Sequence, residues 1–551
     1  MSEVASPVSV APEPAPRRAV APRICDPAVH EFEGDPEIEL AEAAVDLSAA
    51  QPVVPDAVAP SPVNPAAEPI GRFSNESLRS RTIKGGLWTT GGYGAAQVIR
   101  LGTNLVLTRL LQPHMFGVMT LVNIFIQGLQ GFSDLGIGPS IIQNKRGDDP
   151  DFLNTAWTMQ SLRGIALGLL STLIAWPVAH LYGEPQLLWL LPVAALTAVI
   201  AGFNSTALFT LNRHLDVRRL TIRSLVGQVV GAVVMIGWAL ARPSIWALVA
   251  GTIAASLANL AFSHTLIPGV RNRFRWDRSA ASELMSFGRW IFVSTMLTFL
   301  ALQADRLIFG KLIPMHELGV YGVAAMMAAL PTSAILKLGG TVVFPAYSRA
   351  RATGANFQRV FDRVRLPLLA FGGMTAAGMI AAGRPVIELL YDPRYHAAGW
   401  MLQLLAVSAW FQVLQVTNGS ALLALGSPKW VAAGNVAKLT SMLICIPLGF
   451  WARGLPGAVA AIMMSDVLKY AVSAIAARRK GLYMLGKDLL LSALVVLSAG
   501  AGLALHYAGL TGDGTRPVRA AVLSIAVAGL VVAACWVPVI IHSLRSRKVV
   551  A

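Results

Sequence analysis

Nine charged side chains fall within otherwise apolar stretches of this chain: Arg100, Asp134, Arg163, Asp305, Arg306, Lys337, Lys438, Asp466 and Lys469. A charge near the centre of a bilayer costs about 2.5–3.5 kcal/mol on insertion scales, so each must face a partner or a wet cavity. Six of the nine are basic and three acidic. Arg100 and Arg163 have no acid three or four residues away on the same helix, so they pair across helices or face a cavity that accepts negative charge. Asp466 and Lys469, spaced i, i+3, are expected to neutralise each other. Asp134 and Lys337 lie close enough to helix ends to reach the interface. Asp305 and Arg306 are adjacent, about 100° apart around a helix, and so address different surroundings.

The elements that must position these groups are membrane helices. The 551 residues are 55% hydrophobic and 13% charged, with a mean hydropathy of +0.58. A soluble domain is typically about 25% charged. Apolar runs of about 20 residues, the length that crosses a bilayer, are expected near 85–109, 116–143, 155–180, 187–211, 224–240, 245–267, 287–310, 319–344, 366–383, 398–424, 431–451, 456–477, 488–507 and 519–541. The loops after the even-numbered spans, with the C-terminal tail, hold 23 Lys and Arg; those after the odd-numbered spans hold 8. This bias puts both termini in the cytoplasm. It also accounts for most of the +16 net charge, and no folded basic surface for nucleic acid is apparent. At about 1.5 Å per residue, Arg163 and Lys438 lie about 10 Å inside the cytoplasmic boundary, with Arg100 and Arg306 in the outer half.

The chain repeats itself. "LTRLLQPHMFGV" from Leu107 returns as "FGKLIPMHELGV" from Phe309, at an offset of 202 residues. Gly86 and Trp88 return as Gly288 and Trp290, "LYGEP" as "LYDPRY", and "NSTALFTL" from Asn204 as "NGSALLAL" from Asn418. Two six-helix units of the same orientation follow, related by an axis along the membrane normal, the layout of two lobes around a central cavity. The expected fold is therefore all-α and polytopic, with about fourteen transmembrane helices: two parallel six-helix repeats plus two C-terminal helices. Domain boundaries follow at 85–270 and 287–480 for the lobes, with a basic linker at 271–286, a lead-in at 71–84 and the last two helices and tail at 481–551.

Residues 1–70 differ in kind. They are rich in Pro and Ala and hold twelve acids against three arginines, so they are expected to form a disordered acidic tail. Cys25, Cys445 and Cys535 are too scattered to suggest a disulfide framework or a metal cluster. His114 and His316, in short outer loops, are read as caps on helix carbonyls. Asn204 and Asn418 match a glycosylation pattern, but inside apolar helix ends they are not acceptors.

"GGLWTTGGYGAAQVIRLGTNLVLTRLLQPHMFGVMTLV", then "FSDLGIGPSIIQ", resembles the opening of the Wzx-type polysaccharide transporters of the multidrug/oligosaccharidyl-lipid/polysaccharide superfamily. "ALQADRLIFGKLIPMHELGVYGVAAMM" resembles the same family's seventh and eighth helices. The resemblance spans about residues 80–480 and implies a flippase of the bacterial inner membrane. It would carry undecaprenyl-pyrophosphate-linked oligosaccharides to the periplasmic leaflet by alternating access. It implies no enzymatic activity and no cofactor, with an H+ or Na+ gradient as a source of coupling. Its partners would be the lipid-linked substrate, membrane lipids, a polysaccharide polymerase and a chain-length regulator, and no nucleic acid. Since arginine forks suit phosphate oxygens, the resemblance assigns head-group contacts to Arg100, Arg163 and Arg306, helped by Lys438. Asp134 or Asp305 would bind a coupling cation or lock arginines between cycles. The acidic tail departs from the family's pattern. A cation-coupled drug or metabolite antiporter would need an acidic cavity, and a membrane polymerase or ligase a large outer loop. A non-transporting scaffold would leave the inner charges unexplained.

Overall fold

The computed structural model describes residues 78–133, 136–144, 146–214, 216–265, 272–507 and 517–548. The acidic tail and Asp134 lie outside the described residues. Every regular element among the described residues is helical: α1 (Leu78–Leu110), α2 (Pro113–Phe132), α3 (Ile137–Gln143), α4 (Pro150–Tyr182), α5 (Leu187–Gly202), α6 (Ala207–Arg213), α7 (Val217–Ala241), α8 (Trp246–Thr265), α9 (Arg278–Leu312), α10 (Met315–Leu338), α11 (Phe344–Ala352), α12 (Phe357–Leu390), α13 (Ala398–Ala424), α14 (Pro428–Arg479), α15 (Leu485–Tyr507) and α16 (Pro517–Lys548).

Ten of these are long and apolar enough to cross a membrane, and α5 with α6 forms an eleventh span bent by 60°. The 52-residue α14 holds two crossings, because Arg453 and Gly454 leave helical geometry, Gly454 at φ 62°. The less apolar α1 and α9 carry Arg100 and the Asp305–Arg306 pair, in the places of the first and seventh spans. The helices thus follow the expected order, and ten or eleven of them are spans by length and apolarity among the described residues.

Several boundaries differ from the sequence expectation, α9 among them, which starts at Arg278 and so takes in half of the expected linker. The second span does not run unbroken over 116–143: α2 stops at Phe132, and α3 restarts after Gly136, which has a φ of 61°. The fourth breaks at Gly202. Gln160 on α4 donates to the carbonyls of Ala201, Gly202 and Asn204 at 3.1–3.2 Å, satisfying backbone groups that the break frees. Asn204 therefore sits at a break, whereas Asn418, its sequence match, lies within the unbroken α13. The ninth span, expected at 366–383, is the 34-residue α12. Asn356 caps it, accepting from the Arg359 N–H at 3.0 Å, so residues read as loop form its first turns.

The repeat acquires a physical meaning where the two halves meet. A Cβ on Gly117 would collide with the Met315 carbonyl, and one on Gly319 with the Pro113 carbonyl. Both residue pairs obey the 202 offset, so α2 and α10 cross backbone to backbone at symmetry-related glycines. Tyr182 donates to the Leu307 carbonyl at 3.3 Å, and Tyr391 to Asn104 Oδ1 at 3.1 Å. Each half thus reaches into the other with the tyrosine that follows its third span. The largest buried cluster runs through both halves here, joining Leu111, Val118 and Leu121 to Phe309, Leu318 and Tyr391. These contacts lie at the end opposite the Lys- and Arg-rich loops. At the basic end, Arg146 binds Asp149 at 3.0 Å and, across to the start of α9, Asp277 at 3.1 Å. The Arg146 guanidinium holds the Asp277 carboxyl below the usual aspartate range, so this link persists at neutral pH and is lost only in strong acid.

Candidate functional site

Two cavities border the polar face of α2, and a smaller one of about 350 Å³ meets it at Gln130 beside Arg163. The first, about 560 Å³, lies among α1, α2, α7, α8 and α10. On α1 its lining residues are Arg100, Thr103, Asn104 and Leu107, with Ile99 beside them, at the i, i+3, i+4, i+7 spacing of one helix face. Tyr93 and Gln97 extend that polar stripe: Gln97 donates to Tyr93 Oη at 2.6 Å, and Tyr93 lies 2.6 Å from Ser333 Oγ on α10. Arg100 is exposed on the cavity wall, about 15 Å along α1 from its Leu110 end. Its guanidinium makes no hydrogen bond or ion pair among the described residues, and no residue lining this cavity is acidic.

The second cavity, about 620 Å³, lies between the halves, among α2, α4 and α9. Gln127, Gln130, Arg163, Thr298 and Gln303 supply its polar lining. Arg163 Nε donates to Ser133 Oγ at 2.8 Å, and its Nη2 donates to the Gln130 carbonyl. Arg306 Nη1 donates to Gln303 Oε1 at 2.5 Å, and Gln303 in turn donates to Gln127 at 3.5 Å. On α2, Thr120 and Asn123 line the first cavity, and Gln127 and Gln130 the second. Their spacing of three or four residues puts all four on one face. That stripe was visible in the sequence, as was the one on α1, but charge alone was read there.

Arg100 and Arg163 thus line cavities, and Arg306 reaches the second only through Gln303. Lys438 is not. Its Nζ lies 2.8 Å from Asp466 Oδ1, and both residues are buried. Ser408 and Gln412 of α13 donate to the same carboxylate, Gln412 at 2.9 Å. This corrects two expectations: Lys438 is no cavity helper, and Asp466 pairs across the Arg453–Gly454 break with Lys438 rather than along its own helix with Lys469. Sequence spacing sees i, i+3 neighbours but not the partner that folding back brings alongside. Asp305 is also buried and accepts from the Tyr321 hydroxyl of α10, so it ties α9 to α10. His114 lies 3.0 Å from Glu184 Oε1 rather than on a helix carbonyl.

One buried pair was missed. Arg365 binds Asp488 through two bonds of 2.6 and 2.9 Å, with Thr417 and Tyr470 completing the cluster. It fastens α15 to the second half. Arg365 lies in a segment assigned to a loop and Asp488 is the first residue of the expected thirteenth span, so neither was read as an inner charge.

Removing one partner of a buried pair costs about 3–5 kcal/mol, whereas replacing both with apolar groups is often neutral. Lys438→Ala or Asp466→Ala is therefore expected to cut membrane abundance several-fold. The double change Lys438→Met, Asp466→Leu should restore most of it, as quantitative immunoblotting would show.

An all-helical bundle of two related halves, enclosing polar and basic cavities at membrane depth, defines a polytopic transporter fold. It superposes on the lipid II flippase MurJ in its inward closed conformation with a TM-score of 0.65 at 14% identity, covering 85% of this chain and 100% of that one. The family of polysaccharide biosynthesis proteins matches residues 106–399, and the chain belongs to it. Among its relatives is the lipopolysaccharide biosynthesis protein WzxC of Escherichia coli (strain K12), 22% identical over 409 residues, 72% of this chain and 81% of the relative. Another is the succinoglycan biosynthesis transport protein ExoT of Rhizobium meliloti (strain 1021), 24% identical over 324 residues, 58% of this chain and 63% of the relative. The resemblance carried by the motifs around Arg100 and Asp305 is borne out.

Proposed function

We propose that this protein is a flippase for pyrophosphate-linked oligosaccharides carried on a polyprenyl lipid, moving them from the cytoplasmic to the periplasmic leaflet of the bacterial inner membrane. The observation that carries the reading is Arg100, an arginine without a protein partner among the described residues, on the wall of a cavity with no acid. A pyrophosphate with attached sugars needs a hydrated, basic path across hydrocarbon, and the planar guanidinium matches phosphate oxygens. Asn104, Asn123 and Gln228 add amide groups of the kind that bind sugar hydroxyls. Arg163, in the cavity between the halves, and Arg306 beside it would receive the same charge. Asp305, held by Tyr321, acts as a lock between α9 and α10. The names of WzxC and ExoT, a lipopolysaccharide and a succinoglycan protein, support this substrate class. A cation antiporter is disfavoured because Arg100 would repel its cargo.

Deleting the protein should make lipid-linked oligosaccharide accumulate in the membrane while polysaccharide export stops. Export that continues unchanged would end the proposal.

The bias of Lys and Arg assigns the basic end to the cytoplasm. A cysteine at the exposed Gln186 should react with impermeant maleimide added to intact cells, and one at the exposed Lys480 only after lysis. The reverse pattern would invert the direction of transport. The lobe boundaries at 270 and 287 belong to the same reading, as do association with a polymerase and a chain-length regulator and coupling to an ion gradient.

A further inference from the structure

The segment R-F-R-W-D-R, residues 273–278, joins the first six-helix unit to α9 in a way the cavity does not explain. Its backbone has no regular structure up to Asp277, with Arg278 opening α9, and it lies along the basic end of α4. Three alternate N–H groups are fixed there: Arg273 donates to Asn154 Oδ1 at 2.9 Å, Arg275 to Thr158 Oγ1 at 3.1 Å and Asp277 to Thr155 Oγ1 at 3.1 Å. The strap is therefore held by its backbone, and most of its side chains point away from the protein. Phe274 is 65% exposed and Trp276 53%, although Phe274 still touches Trp157 at 4.7 Å between ring centroids. Arg275 pairs with Asp151 at 2.6 Å. The side chains of Arg273 and Arg278 are exposed and make no ion pair or hydrogen bond among the described residues.

Exposed aromatics flanked by free arginines suit the interface of a bilayer, rings at head-group level and guanidinium groups toward phosphates. Position adds direction. Arg163 follows Thr158 by five residues on α4, about 7.5 Å further in. The second half supplies a contrast. There Tyr483, 76% exposed, is pinned to Gln358 of α12 by bonds of 2.9 and 3.0 Å, among Arg478, Lys480 and Lys487. Further along α12, however, Arg365, seven residues beyond Gln358, is buried and already closed onto Asp488 at 2.6 Å. The first strap instead leads toward Arg163, on the wall of the cavity between the halves.

We propose that residues 273–278 form a landing site for the pyrophosphate head group of the polyprenyl-linked substrate in the cytoplasmic leaflet, with Arg273 and Arg278 as its ligands and Arg163 as the next station inward. This rests on the flippase reading. The test uses the purified full-length protein and radiolabelled undecaprenyl pyrophosphate, with unlabelled phosphatidylglycerol as competitor. The unmodified protein should bind the probe saturably and resist a hundredfold excess of phosphatidylglycerol. Arg273→Ala with Arg278→Ala should raise Kd about tenfold or more. The same pair changed to Lys should fall between, and Arg478→Ala with Lys480→Ala should leave Kd unchanged. No saturable binding by the unmodified protein would overturn the flippase reading and this inference together. Tight binding that the R273A/R278A variant retains would overturn the inference alone. Displacement by phosphatidylglycerol would overturn the pyrophosphate assignment, leaving a general site for anionic lipid.

Discussion

A valine at Gly117 or Gly319 is expected to cut transport about tenfold or more while leaving the protein in the membrane. Each glycine meets the backbone of the opposing helix, Met315 or Pro113, so the neighbour has no side chain to move aside. Overpacking of this kind costs about 1–3 kcal/mol and occasionally more. The cost falls on the state in which α2 and α10 touch, because either helix can carry the larger residue once the halves part. A penalty of that size lowers the population of the closed state by about 5- to 150-fold. Alternating access needs both states, so export should drop by about tenfold or more at normal abundance. A cysteine at the exposed Gln112, beside the crossing, should then label faster from outside. Normal export by both valine variants would show that this crossing does not close the outer end.

The second large effect belongs to Arg100. Since its side chain faces the cavity without a partner among the described residues, Arg100→Ala removes no internal contact and should leave abundance unchanged. Export should nevertheless fall about tenfold or more, because charge-assisted bonds to phosphate are worth about 1.5–3 kcal/mol each. Arg100→Lys keeps the charge but loses the fork and should rescue only partly. Arg163→Ala differs in kind. Arg163 also holds Ser133 and the Gln130 carbonyl near the end of α2, so abundance and export should fall together. Lower export from Arg163→Ala alone would therefore say little about phosphate.

The sequence carried the helices, the two halves and the cavity arginines because each leaves a one-dimensional trace: apolar length, repeated motif, misplaced charge. It carried the partners of those charges poorly. Lys469 looked like the neighbour of Asp466 because they share a helix, but the carboxylate turns to Lys438 across the Arg453–Gly454 break. Arg365 looked like a loop charge because α12 starts earlier than its apolar run, Asp488 stood at the very start of an expected span, and only packing of α15 against α12 brings them together. The breaks at Phe132 and Gly202 left no clear trace, since Gln160 satisfies the freed carbonyls from another helix. The glycine repeat was legible as repetition, and its purpose appears only where the two copies touch.

The account turns on whether a basic cavity moves a pyrophosphate lipid. The most direct measurement reconstitutes the full-length protein in vesicles that hold undecaprenyl-pyrophosphate-linked oligosaccharide, and follows transfer between leaflets with an impermeant sugar-modifying enzyme. The unmodified protein should speed transfer, and Arg100→Ala at equal reconstitution should reach about a tenth of that rate or less. Equal rates for the two would contradict the cavity mechanism, and no acceleration by the unmodified protein would contradict the flippase itself.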